Sequence, residues 1–442
     1  MKINGKLNTI SKGAFLACGF ENITMEEGIE KIAMDALAQE HITSVIIPSS
    51  VTNIAYHSFI SCTNLTSVEI KGKNVILEAD AFKICQNITS LKIANDCTTL
   101  KWDATKNTLI CSNNVVFIYP SYLNSLSSYS IPEGITYWGY NLPSNIKTMN
   151  FPKSLSSVEI VGLPAKLENI TFLDSKNNFN GNSTFKVLTD DSNHKMLFEI
   201  NNNKLNLLLM LYNTDKEINI PSTIKDSDGS IKNIVSVKRS AFGNVISGTN
   251  ITINIPSIGD YAFGWGDNND ISIKLGANVI NCSTYFCANK YNYKLSVDSA
   301  NTKYYAMNDQ NGKSIALYEK NGDSYKLHRV IKKVTEMVIP RTVNNGIAVT
   351  QIGKGAFYGQ DKLKKIDLKS TNITTIDSNA FEGCSAMNEI DISDKVTSIG
   401  SNCFANCSNL TIYIPTTKEN NKIAGAPWGA TKGDRAVKWA SQ

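Results

Sequence analysis

Apolar and polar positions alternate along this chain in short runs that return at a nearly constant spacing. The runs LTSVEI, LKKIDL and MNEIDI alternate with period two and are rich in valine and isoleucine, which predicts strands with one buried face. Proline closes several such runs, as at Pro48 and Pro340, and it ends strand pairing because it has no amide hydrogen to donate. The chain is therefore predicted to contain many short strands.

A second motif lies between the strands: an aliphatic residue, four residues, an aromatic ring, two residues, and a cysteine or small residue. It occurs as IDSNAFEGC and IGSNCFANC, and the two rings, Phe381 and Phe404, lie 23 positions apart. Full copies end in Cys18, Cys62, Cys85, Cys384 and Cys407, and looser copies pair Ile32 with Leu37, Val237 with Phe242, Ile258 with Phe263, Ile280 with Tyr285, and Ile352 with Phe357. Such repetition predicts a solenoid whose neighbouring units bury one another's apolar faces.

The combined pattern, L-x-x-I-x-I-P followed by V-x-x-I-x-x-x-A-F-x-x-C, resembles the BspA-like, or Treponema-type, leucine-rich repeats of bacterial surface proteins. The segments that match best are 42–64, 65–87, 363–386 and 387–409. The resemblance implies a β-rich solenoid, a curved right-handed superhelix of about 22–24-residue repeats with short strands, few short helical turns and β-hairpin insertions. It also implies a cell-surface or secreted protein that mediates adhesion without catalysis.

The repeats predict one solenoid over residues 1–414 and a C-terminal cap over 415–442, where Trp428 and Trp439 are available to cover the last core layer. Insertions interrupt the repeat near 108–130, 173–219 and 293–333. Each insertion pairs apolar segments around an asparagine-rich or Asn-Gly-Asp turn, which predicts a β-hairpin. We favour structural elaboration over partner binding for these hairpins.

The first residues superficially resemble a lipoprotein signal, because Lys2, Lys6 and Lys12 precede the segment AFLAC (14–18). The apolar stretch is shorter than the roughly 7–15 residues of a signal core. Its ring and its cysteine also fit the repeat. We therefore interpret this segment as a repeat and expect a signal or anchor segment upstream of it.

Charge and hydropathy argue against two classes of partner. Lysine and arginine number 44 against 39 aspartate and glutamate residues, and the resulting net charge of +5 is dispersed along the chain. This distribution does not predict a nucleic-acid footprint. No apolar stretch approaches the roughly eighteen residues that span a bilayer, so we expect no membrane insertion. We expect a monomer.

Ten cysteines allow two interpretations. In the repeat motif both the ring and the thiol can face inward, and free cysteine packs well as a small buried hydrophobe. We therefore expect reduced, buried and inert thiols at the five motif cysteines. Disulfides between neighbouring copies are the alternative. No CxxC pair and no His–Cys cluster has the spacing of a zinc site.

Motifs for catalysis are missing from the sequence. The histidines lie in different repeats, and only His57 is close in sequence to a cysteine, Cys62, which already belongs to the predicted core. Phosphate-binding, dinucleotide-binding, serine-hydrolase and zinc-protease motifs do not occur. We therefore predict that the protein is not an enzyme and needs no cofactor or metal.

Acidic residues could still gather on adjacent strands, as Asp367, Glu389, Asp391 and Asp394 would. Calcium accepts such oxygen ligands. Lysines lie between these acids, however, so we favour a solvated, salt-bridged face over a calcium site.

What remains as a functional candidate is the outward side of the strands. Side chains alternate across a strand, and stacked strands lie about 4.8 Å apart, so outward residues form an extended ladder. Solenoids bind macromolecules through such ladders. The candidates are Glu69, Lys92, Lys147, Asn150, Lys364, Lys365, Asp367, Asn388, Glu389 and Asp391.

The polar surface with mixed charge favours an extracellular or host protein or a glycan as the partner. Binding to macromolecules of a host or a neighbouring cell is therefore our leading hypothesis. The alternative is an intracellular scaffold, because free thiols suit a reducing compartment.

Overall fold

The structure is a computed structural model of the 442-residue chain. It describes residues 1–78, 80–103, 107–112, 114–118, 120–173, 184–226, 228–243, 245–263, 271–287, 293–310, 314–418 and 420–440. Within these ranges, no helix has the length and apolar character needed to cross a membrane. Contacts divide the chain into two compact units, Met1–Ile200 and Asn201–Gln442.

The first unit is built almost entirely from short strands. Among its described residues, helical structure is limited to α1 (Pro120–Asn124) and two 3-10 turns, Gly5–Leu7 and Ile160–Gly162. The strands are β1 (Lys2–Ile3), β2 (Thr9–Ile10), β3 (Thr24–Met25), β4 (Lys31–Ile32), β5 (Ser44–Ile47), β6 (Asn53–Ile54), β7 (Ser67–Ile70), β8 (Ile76–Leu77), β9 (Ser90–Ile93), β10 (Leu100–Asp103), β11 (Thr108–Cys111), β12 (Asn114–Ile118), β13 (Ser128–Ser130), β14 (Tyr137–Trp138), β15 (Thr148–Pro152), β16 (Ser157–Val158), β17 (Asn169–Leu173), β18 (Phe185–Thr189) and β19 (Lys195–Asn201).

Most repeats of the first unit contribute one strand to each of two parallel sheets. The alternating runs form β5–β7–β9 and β13–β15–β17, and the starts of the ring-containing motif form β2–β4–β6–β8 and β12–β14–β16. Antiparallel pairs interrupt this order at β10–β11–β12 and at β18–β19. The hairpin predicted for the first insertion is thus confirmed as β11–β12. The hairpin predicted for the second insertion corresponds to β19 and the next strand, Lys204–Met210, which are hydrogen-bonded neighbours, while 174–183 lie outside the described residues.

The second unit is likewise built almost entirely from short strands. Its one helical element is the 3-10 turn Gly433–Ala436 among the residues described. The strands are β20 (Lys204–Met210), β21 (Glu217–Ile220), β22 (Thr223–Lys225), β23 (Ile231–Val237), β24 (Asn250–Ile253), β25 (Ser257–Ile258), β26 (Ser272–Leu275), β27 (Asn281–Cys282), β28 (Lys294–Val297), β29 (Tyr304–Asn308), β30 (Ser314–Asn321), β31 (Ser324–Val330), β32 (Glu336–Val338), β33 (Thr342–Val343), β34 (Ile347–Ile352), β35 (Lys365–Asp367), β36 (Thr375–Ile376), β37 (Glu389–Asp391), β38 (Ser398–Ile399), β39 (Thr411–Ile414) and β40 (Val437–Trp439).

The repeats of this unit again contribute one strand to each of two parallel sheets. The first group of repeats forms β21–β24–β26–β28 and β23–β25–β27, and the second group forms β32–β35–β37–β39–β40 and β34–β36–β38. The hairpin predicted for the third insertion is confirmed as the antiparallel meander β29–β30–β31. Two small antiparallel pairs, β22–β23 and β33–β34, were not expected. Their turns contain Gly229 and Gly346, both with positive φ, which is the usual signal of a hairpin turn.

Rings and aliphatic side chains fill the space between the two sheets of each repeat. The ring of Phe381 stacks between those of Phe357 and Phe404, with centroids 4.7 and 5.6 Å away. In the first unit Phe59 stacks on Phe82 at 5.2 Å. All these rings are at most 5% exposed. The predicted leucine-rich-repeat β-solenoid, with almost no helix, is therefore confirmed.

Consecutive tight turns, rather than a short helix, shape the ring-containing motif. Residues three and seven positions after the aliphatic residue adopt the left-handed conformation, as Asn379 and Gly383 do with φ of 58° and 77°. These turns aim alternate amides at the next repeat, so that Phe381 N donates to Cys403 O at 2.8 Å. Glycine and asparagine tolerate this conformation better than other residues, which explains why they recur in the motif.

Two details of the repeat register were wrong. Ile280 is 63% exposed, and the buried positions of its repeat belong instead to Cys282 and Phe286, because β27 pairs Cys282 with Ile258. Cys18 is exposed rather than buried, and its thiol contacts Leu16 O of its own turn at 3.9 Å. The other degenerate copy, Ile32 with Leu37, is fully buried as expected.

The C-terminal residues continue the second unit's ladder. Strand β40 pairs with β39 in parallel, with Ile412 opposite Val437. Trp428 is buried at 2% exposure, and Trp439 packs against the core as a half-buried side chain. The division into one solenoid over 1–414 and a cap over 415–442 stays a prediction.

Candidate binding surface

The outward side chains of β32, β35, β37, β39 and β40, with the residues that directly precede these strands, are here called the C-terminal strand face. The alternation of inward and outward side chains along each strand determines which residues belong to this face. In β35, Lys365 and Asp367 are exposed whereas the intervening Ile366 is only 3% exposed. Six predicted residues come together on this face: Lys364, Lys365, Asp367, Asn388, Glu389 and Asp391.

Parallel pairing aligns one outward row across all five strands of this face. The row consists of Val338, Asp367, Asp391, Tyr413 and Lys438. Val338 is 72% exposed and Tyr413 is 42% exposed. Exposed apolar side chains thus flank two carboxylates, and none of these groups is needed to fill the core.

Hydrogen bonds hold the carboxylates of this row in place. Asp367 accepts bonds from Ser370 Oγ at 2.6 Å and from Lys369 N at 2.8 Å, and the bond from Ser370 is the main cause that lowers its pKa. Lys369 Nζ lies 3.2 Å from Asp391 Oδ1. The acids and lysines are therefore interleaved in space as well as in sequence, and Asp367 also fixes the turn that follows its strand.

The four candidates of the first unit lie on two separate sheets. Glu69 and Lys92 share a row with Ile46, which is 51% exposed. Asn150 lies in β15, where its amide donates to Ser130 Oγ at 2.7 Å. Lys147 precedes that strand and lies 3.4 Å from Glu168. The structure therefore does not bring all four candidates together.

Sequence reasoning missed a further outward row on β21–β24–β26–β28. It consists of Glu217, Asn250, Ser272 and Lys294. The signal was available, because the runs EINI, NITI and SIKL alternate in the same way as those used above. Val338 and Tyr413 were missed because they are apolar, although the same alternation assigns them to the outer side.

Two of the repeat cysteines, Cys384 and Cys407, are buried and hydrogen-bonded to backbone carbonyls. Cys384 donates its thiol hydrogen to Phe357 O at 3.3 Å, and Cys407 donates to Phe381 O at 3.2 Å. Burial raises the pKa of the Cys407 thiol to about 11 and that of Cys384 further. Each thiol thus hydrogen-bonds to the carbonyl of the ring residue one repeat earlier, which favours the unreactive protonated form.

Comparison with protein families identifies the class of repeat. The profile described as BspA type leucine rich repeat region matches six copies over residues 1–111, 222–323 and 331–425. The chain belongs to this family of leucine-rich-repeat proteins. Membership supports a protein-binding role, and proteins of this type are cell-surface proteins.

Three solved structures illustrate the similarity. A leucine rich cell surface protein from Faecalibacterium prausnitzii is 16% identical over 90% of this chain and 88% of that chain, with a TM-score of 0.34. A leucine-rich repeat protein from Eubacterium ventriosum is 18% identical over 89% and 87%, with a TM-score of 0.34. The pneumococcal vaccine antigen PcpA is 15% identical over 57% and 93%, with a TM-score of 0.24. A search of curated proteins gave no match.

Proposed function

We propose that this chain is a non-enzymatic, cell-surface or secreted adhesion protein that binds a protein or glycan of a host or neighbouring cell through its C-terminal strand face. The observation that carries the proposal is the aligned row from Val338 to Lys438. It combines exposed apolar groups with fixed charges over five neighbouring strands. Interfaces commonly combine such apolar anchors with a polar rim.

The experiment begins with a screen of the purified chain against matrix proteins and glycans. The partner found is then titrated against the double variant Lys364→Ala/Lys365→Ala. Because both side chains are exposed, we expect the free energy of unfolding to change by less than about 0.5 kcal/mol. Binding should weaken about tenfold, which corresponds to the loss of about 1.4 kcal/mol.

A matched control removes the same charge elsewhere on the second unit. The double variant Lys354→Ala/Lys362→Ala changes two exposed lysines that lie in turns rather than on the strand face. Equal weakening by both double variants would point to non-specific charge attraction and contradict the proposal. Asp367 is tested as Asp367→Asn, because alanine would also remove the turn that its carboxylate holds.

An intracellular scaffold is the second candidate. The ten cysteines, all within the described residues, are free, and disulfides are rare in reducing compartments. Protease treatment of intact producing cells separates the two candidates. Cleavage of the chain by external protease supports the surface protein, whereas full protection together with recovery in the soluble intracellular fraction supports the scaffold.

A further inference from the structure

A groove opens in the first unit where the first hairpin insertion interrupts the repeats. It is lined by the segment 140–143, by Pro120, Leu123 and Asn124 of helix α1, and by Lys83, Ile84 and Gln86 of one repeat turn. The groove has a volume of about 380 Å³. A smaller inner cavity of about 90 Å³ adjoins it and shares the lining residues Lys83, Ile84, Gln86, Pro120, Tyr140 and Asn141.

The rim of this groove carries a strained and exposed isoleucine. Ile84 has a φ of 62° and is 49% exposed. Left-handed backbone is unfavourable for residues other than glycine and is least suitable for β-branched residues. At the equivalent position, other copies of the motif have Ala17, Gln39, Ser61, Gly383 and Asn406, none of them β-branched.

Isoleucine at this position therefore reduces stability twice, through its backbone and through its exposure to water. Neither effect is offset by core packing, because the side chain points out of the repeat stack. Strained residues of this kind cluster at ligand-binding sites. Ile84 is thus better explained by a contact with a partner than by folding.

The adjoining cavity, here called the floor of the groove, contains a carboxylate paired with a lysine. Asp80, with its side chain 8% exposed, accepts hydrogen bonds at Oδ2 from Lys83 Nζ at 3.0 Å and from Asn141 Nδ2 at 3.2 Å. Within the described residues, no donor forms a hydrogen bond with its second oxygen, Oδ1. One carboxylate oxygen and two donor groups therefore meet at the floor, with a net charge of zero.

The walls combine apolar side chains with the polar side chains of Gln86 and Asn124. The hydroxyl of Tyr140 lies 3.3 Å from Ile118 N and 3.4 Å from Ile118 O, which holds its ring in place. Leu123 and Leu142, with Pro120 and Pro143, complete the apolar lining. An occupant that matches this groove has an apolar body and one neutral end that both donates and accepts a hydrogen bond.

We propose that the groove binds a tyrosine side chain of a protein partner. The ring lies against Ile84 and the leucine and proline side chains, while the phenolic hydroxyl donates to Asp80 Oδ1 and accepts from Lys83 or Asn141. Tyrosine is a frequent interface anchor, because it combines apolar area with a polar tip. Turns and a helix form this site, so it is independent of the proposed strand face.

The test uses p-cresol as a probe of the tyrosine side chain, titrated against the full chain by ligand-observed NMR. Toluene is the matched probe that lacks the hydroxyl, and it should bind about tenfold more weakly. Ile84→Gly should raise the melting temperature, because it relieves the strain, and should weaken p-cresol binding about fivefold or more. Ser61→Gly is the control, because it relieves the equivalent left-handed strain one repeat earlier. It should leave p-cresol binding unchanged.

A second pair of variants tests whether Asp80 accepts a hydrogen bond from the bound phenol. Asp80→Asn should weaken p-cresol about fivefold, because an amide oxygen is a poorer acceptor than a carboxylate. Asp35→Asn, at the equivalent left-handed position two repeats earlier, should have no effect on binding. The proposal is overturned if p-cresol does not bind, if toluene binds equally well, if methyl glucoside displaces p-cresol, or if Ile84→Gly retains full affinity.

Discussion

Two regions of the second unit bury their side chains by different rules. In the stack formed by β35–β37–β39, the inward strand positions are aliphatic, as Ile366, Ile390 and Ile412 are. In the hairpin insertion β29–β30–β31, by contrast, a largely buried Glu319 contacts Lys303, Lys326 and His328 at about 3 Å. Arg329 is also buried and donates to Gly355 O.

The difference follows from how the strands pair in the two regions. Parallel stacking places equivalent residues about 4.8 Å apart, so a buried charge at a repeat position would tend to meet a like charge in the next copy. Antiparallel pairing places unrelated residues opposite each other, as Glu319 and Lys326 are. In the second unit, the antiparallel insertion thus contains buried opposite charges, whereas the β35–β37–β39 stack has aliphatic side chains at its inward positions.

The largest expected effect comes from breaking the stack. Phe381→Ala removes a ring held between two others and leaves a cavity in the middle of the column, so the free energy of unfolding should fall by about 3–5 kcal/mol. Urea unfolding followed by circular dichroism measures this loss. Tyr413→Ala, on the outward side of the same unit, is the control and should change stability by less than about 0.5 kcal/mol.

A loss below about 1 kcal/mol for Phe381→Ala would mean that neighbouring repeats collapse into the space, and that the column is less rigid than its ring stacking indicates.

A smaller effect is expected in the hairpin insertion. Burial would raise the pKa of Glu319, but hydrogen bonds from His328, Lys326 and Lys303 outweigh it and hold that pKa well below its ordinary value of 4.5. The carboxylate therefore stabilises the fold above about pH 4.5, and this contribution is lost as the pH falls through the depressed folded value. Glu319→Gln should lower stability at pH 7 by about 2–3 kcal/mol.

Thermal unfolding between pH 2 and pH 7 tests the assignment of this pH dependence. The wild-type chain should lose stability more steeply below pH 4.5 than the Glu319→Gln variant does. Parallel curves for the two proteins would show that other carboxylates are responsible for the acid sensitivity.

The smallest expected effect concerns the repeat thiols. Cys384→Ala removes one hydrogen bond to Phe357 O and one sulfur atom, and should lower stability by about 1–2 kcal/mol. Cys18→Ala should have no measurable effect, because Cys18 is exposed. In the native state, Cys18 should react with a disulfide reagent within minutes, whereas Cys384 and Cys407 should react only on unfolding. Rapid native labelling of Cys384 would contradict the closed column.

The regular part of the fold was predictable because its information is local. Period-two alternation and the ring motif assigned the inward residues of β7, β35 and β37 correctly. The register failed at Ile280, because Cys282 takes the place of the usual aliphatic residue in this copy, and Tyr285 rather than the buried Phe286 was taken as the ring. The outward candidates also followed from alternation, but their grouping into separate faces depended on where the insertions break the ladders.

By itself, the sequence determined the repeat period, the inward residues, the hairpins of the insertions and the family. Each of these depends on residues within about 25 positions of one another, the length of one repeat. Only the tertiary structure decided that Asp80 meets Asn141, 61 positions away, and that the interruption between them leaves a groove. The physical reason is that alternation fixes which way a side chain points, whereas the displacement of one turn from the next depends on how the intervening hairpin packs.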